Sequence, residues 1–149
     1  MTRSVASELW SSAEIHSDRP ALWARGEILT YEELFSQAAR LAAALAVDMD
    51  VVPGDRVAFL ANRTPMAYIA LLSVVLAGAT YVPLNPRFPA GRNRAILERA
   101  DVKTLIVDDK NLRTVPEIFE NLRALPRVLA PESTENLLER ASWRGKECL

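Results

Sequence analysis

Asp108 and Asp109 are the carboxylates best placed for chemistry, because they follow directly on the apolar run Lys103–Val107. A short apolar run of that kind reads as a buried parallel strand, and parallel sheets carry ligands beyond the carboxyl ends of their strands. A polar strand-to-helix turn uses the same residue types, and that is the expected role of both aspartates. Other charged groups have local explanations. Glu32 and Glu33 sit in the first turn of a helix opened by Thr30. Arg92, Arg94, Glu98 and Arg99 read as a solvated helix face, on which Arg94 and Glu98 are four apart and pair for about 0.3 kcal/mol.

The remaining chemistry-bearing types are sparse. The five glycines, Gly26, Gly54, Gly78, Gly91 and Gly145, form neither GxGxxG nor GxxxxGK[ST]. No glycine turn is therefore set to bring a pyrophosphate against a helix N-terminus. The single histidine, His16, and the single cysteine, Cys148, lie at opposite ends of the chain and do not make a metal site. GxSxG is absent, and Ser73 lies inside an apolar run, where its hydroxyl is expected to bond back to its own helix. Read from the residues alone, the chain carries no catalytic, cofactor-binding or metal-binding set.

Composition bounds the class. A length of 149 residues suits one domain. Lys and Arg number 18 against 19 Asp and Glu, with no basic stripe, which argues against nucleic acid. A lone thiol one residue from the end forms no internal disulfide and no prenylation box, so a reducing, cytoplasmic setting is expected. Residues 1–20 lack the apolar core of a signal peptide. Met66–Ala79 is apolar but shorter than the roughly 20 residues of a membrane span, and reads as a buried helix.

The elements that would position these groups alternate. A helix over residues 4–16 is stopped by Arg19-Pro20. Ala21–Ala24 and Ile28–Thr30 read as strands around a turn at Arg25-Gly26-Glu27. Thr30 and Glu33 have capping-box spacing, and the helix behind them, to about Ala46, has the stripe Leu34, Ala38, Leu41 and Leu45. After a turn at Val52–Asp55 come strand Arg56–Ala61 and a helix Met66–Ala77 capped by Thr64 with Pro65 at its first position. Gly78 fits that helix's C-terminal end. Strand Thr80–Leu84, helix Pro89–Ala100 and strand Lys103–Val107 follow. A second capping box at Thr114–Glu117 is expected to open a helix to about Ala124. Strand Arg127–Leu129 and a helical turn at Glu135–Arg140 complete the series. The expected fold is α/β: a mainly parallel sheet with helices on both faces, preceded by a short β-hairpin. Residues 1–130 form the domain, and residues 131–149 a polar, loosely ordered tail.

Two segments carry a specific resemblance: Leu29–Leu34 (LTYEEL), and Leu76–Pro89 (LAGATYVPLNPRFP) followed by Ile96-Leu97, Asp101 and KTLIVDD. Pro53–Val57 (PGDRV), Asn62 and Asp18–Leu22 (DRPAL) fit the same pattern. Their order and separation resemble the first two core motifs of adenylate-forming enzymes, the AMP-binding ligases that include acyl-CoA synthetases, luciferases and nonribosomal peptide synthetase adenylation domains. The resemblance covers about residues 5–130, and YVPLNPRFP leans slightly towards amino-acid adenylation.

That resemblance implies the N-terminal subdomain of the adenylate-forming fold. It also implies a function: ATP- and Mg-dependent activation of a carboxylate or amino acid. In the family these two motifs are structural. The phosphate loop with its lysine, the adenine and ribose contacts, the Mg-binding acid and the catalytic lysine all come later, and no position here matches them. The chain is therefore expected to be a truncated piece of such a ligase, inactive alone or completed by a separate chain carrying the rest. The alternative is a non-catalytic α/β binding module.

Overall fold

The computed structural model describes residues 4–132. The elements are helix α1 (Val5–Ile15), strands β1 (Pro20–Ala24) and β2 (Glu27–Thr30), helix α2 (Tyr31–Val47), strand β3 (Arg56–Leu60), helix α3 (Pro65–Leu76), strand β4 (Thr80–Leu84), helix α4 (Ala90–Ala100), strand β5 (Thr104–Val107), a 3₁₀ helix (Asp109–Thr114), helix α5 (Val115–Phe119) and strand β6 (Arg127–Leu129). β1 and β2 pair as an antiparallel hairpin. The other four strands form a parallel sheet in the order β4-β3-β5-β6. The expected tail from Pro131 falls, beyond Glu132, outside the described residues, as does the turn expected at Glu135–Arg140.

Period-two alternation divides the core between the two sheet faces. Val57, Ile106 and Leu129 pack with Leu34, Phe35, Ala38, Leu41 and Leu45 of α2 and with Ile69, Ala70 and Val74 of α3. Ala58, Leu60, Leu105 and Val107 pack with Leu97 of α4 and with Val115, Ile118 and Phe119. All four β5 residues are buried, as an apolar strand covered on both faces must be.

Local chemistry sets the joints. The Thr30–Glu33 box forms reciprocally: Glu33 N–H donates to Thr30 Oγ1 at 3.2 Å and Thr30 N–H to Glu33 Oε2 at 2.9 Å. Gly78 ends α3 at φ +69°, where a Cβ would lie 3.3 Å from that of Pro53. Thr80 N–H donates inward to Asp55 C=O at 2.7 Å. Pro83 is three residues on, so its ring nitrogen faces the open edge of β4 and no ladder bond is lost.

Five expectations need correction. α3 is buried along one side only, at Ile69, Ala70, Ser73 and Val74, while Tyr68 is 42% exposed; nothing among the described residues covers its outer side fully. Thr64 occupies the cap position of α3 without a side-chain cap bond. Thr114 opens no capping box. It is already in the α region as the last residue of the 3₁₀ helix, and its hydroxyl donates to Asn111 C=O at 2.7 Å. α5 stops at Phe119, not near Ala124, because Glu120 turns extended and Asn121 adopts φ +60°. Arg94 is not on a solvated face paired with Glu98. Its guanidinium donates to the C=O groups of Ile118 (3.1 Å) and Glu117 (2.7 Å), satisfying the carbonyls left open where α5 ends.

Candidate functional site at the carboxyl edge of the sheet

In an open parallel sheet the ligand crevice lies where neighbouring strands send their following loops to opposite faces. Here β3 differs in this way from both of its neighbours, β4 and β5, and the gap between β3 and β5 is one such place. The loop after β3 leads to α3 on one face, and the loop after β5 leads to the 3₁₀ helix and α5 on the other.

Asp108 fills this crevice. It is 2% exposed. One carboxylate oxygen accepts from Asn62 N–H at 2.9 Å, across the gap from β5 to the loop after β3, with Asn62 Nδ2 at 3.5 Å. The other accepts from Asn111 N–H at 2.9 Å and from the Asn111 side-chain amide, capping the 3₁₀ helix. Asp108 N–H donates to Leu60 C=O at 3.2 Å. A buried carboxylate with several N–H partners is a stable structural hub. The strand-end aspartate is thus a turn residue, as the sequence suggested, and it also ties two loops together.

Around the hub the edge is polar. Asp109, Lys110 and Arg113 line an open depression of about 360 Å³. The Glu132 carboxyl is pushed above the usual glutamate range chiefly by partial desolvation, and the nearby Asp108 and Asp109 charges add to this. On the far side of β3, buried Asn93 of α4 clamps the loop after β4, donating to Asn85 C=O at 2.9 Å and accepting from Asn85 N–H at 3.3 Å. Arg92 stacks over Phe88 at 3.9 Å.

The N–H groups of Asn62 and Asn111 that face the crevice are taken by Asp108. The first turn of α3 begins with Pro65, which has no N–H, and Ala67 N–H is bonded to Thr64 C=O at 3.0 Å. Asp108 also places a carboxylate in the crevice. Among the described residues, no three or more His, Cys, Asp or Glu side chains gather to hold a metal ion, and no helix is long and apolar enough to cross a membrane. Ser73 bonds to its own helix, donating to Ala70 C=O at 2.7 Å. His16 lies against Tyr31, with ring centroids 6.2 Å apart.

The amino edge is held by ion pairs. Lys103 Nζ donates to Asp55 at 2.7 Å, Arg56 to Asp101 at 2.8 Å and Arg127 to Asp50 at 2.7 Å. The Lys103 bond, and then Val52 N–H at 3.0 Å, hold the Asp55 carboxyl below the usual aspartate value. Sequence reasoning missed Asn93 and Asn111, and named Asn62 only as part of the family pattern, without a role at this edge. The Asp108-x-x-Asn111 spacing at the end of a strand was the available signal for one of them.

The chain is similar to known proteins in sequence and fold. The family profile described as AMP-binding enzyme matches residues 9–149. Nonribosomal peptide synthetase 8 of Aspergillus fumigatus is 34% identical over 125 residues, 84% of this chain and 1% of that protein. Surfactin synthase subunit 1 of Bacillus subtilis is 39% identical over 95 residues, 64% of this chain and 3% of that one. The solved N-terminal subdomain of Klebsiella oxytoca NpsA superposes with a TM-score of 0.68 at 27% identity, covering 87% of this chain and 32% of that one. The chain thus spans a small part of the proteins it resembles. With the profile matched over nearly its whole length, the chain belongs to the AMP-binding enzyme family of adenylate-forming enzymes.

Proposed function

We propose that these residues are the scaffolding N-terminal part of an ATP-dependent ligase that activates a carboxylic or amino acid as its adenylate. They hold no reacting group, so by themselves they are inactive. ATP and Mg are handled by residues that follow in a complete enzyme or that a separate chain supplies, in a reducing cytoplasm. The observation that carries this reading is the crevice between β3 and β5. The family match gives the chain a nucleotide-dependent lineage, yet Asp108 consumes the crevice's backbone donors. Adenylation develops charge on phosphate oxygens, and that charge must be met by cations and N–H donors. Strand, helix and loop here supply rigidity instead, with Asp108, Asn62 and Asn111 fixing the loops against which the rest of the enzyme would be built.

ATP–pyrophosphate exchange tests the proposal. The 149-residue chain is assayed with a panel of amino, aryl and fatty acids, alone and with a polypeptide that carries the phosphate loop and the rest of an adenylation domain. The expected result is exchange only in the mixture. Exchange by the chain alone contradicts the proposal, and exchange by the second polypeptide that this chain leaves unchanged favours a binding module.

A further inference from the structure

We draw no further inference here: the strongest candidate, the open depression lined by Asp109, Lys110 and Arg113 at the carboxyl end of β5, belongs to the site already described, and no buried unpartnered polar group points into it, since the one such side-chain atom among the described residues, Thr104 Oγ1, lies at the opposite end of that strand.

Discussion

At the residue scale, three threonines that look alike in sequence differ in what their hydroxyls do. Thr30 closes a reciprocal box, Thr64 makes no cap bond, and Thr114 bonds to a carbonyl one turn back. Thr30→Ala should therefore cost about 1 kcal/mol, and Thr64→Ala at most a few tenths of that, measured by urea denaturation. Asp108→Ala strands the buried N–H donors of Asn62 and Asn111 and should cost about 3 kcal/mol. Asp55 sets an acid limit. Its folded carboxyl lies below the unfolded value of 3.8, so it stabilises the fold fully above about pH 4, and this stabilisation is lost as pH falls through the folded value. Denaturation midpoints measured between about pH 3 and pH 6 should decline less steeply at the acid end for Asp55→Asn than for the parent chain.

At the element scale, the joints between strands and helices carry the design. Asn93→Ala would unpair Asn85 N–H and leave Asn85 C=O with only Phe88 N–H at 3.0 Å, while leaving α4 itself intact, and should destabilise by about 2 kcal/mol. Amide exchange should then show the loop after β4 opening before the sheet does. The elements most legible in the sequence were those with a local signature: the hairpin with its Arg25-Gly26 turn, the boxed helix α2 with its stripe, and the strands β3 to β6. What failed was decided by distant partners. α5 reads as a longer helix until Arg94, more than twenty positions upstream, takes its terminal carbonyls. Thr114 reads as a cap until the 3₁₀ helix, started by Asp108, has already curled the chain there.

At the scale of the whole molecule, the same limit explains the candidate site. The two strand-end aspartates were visible, and a turn role was the better reading. The bond from Asp108 to Asn62 joins residues 46 apart and depends on β3 lying beside β5, which no local pattern encodes. Family membership, by contrast, was legible because LTYEEL and LAGATYVPLNPRFP are local stretches. The proposed scaffold role requires that this part of an AMP-binding enzyme bind no nucleotide by itself. Calorimetric titration of the full 149-residue chain with ATP and Mg tests it most directly. The expected result is no saturable heat up to millimolar ATP; saturable one-to-one binding by a monodisperse monomer would contradict it.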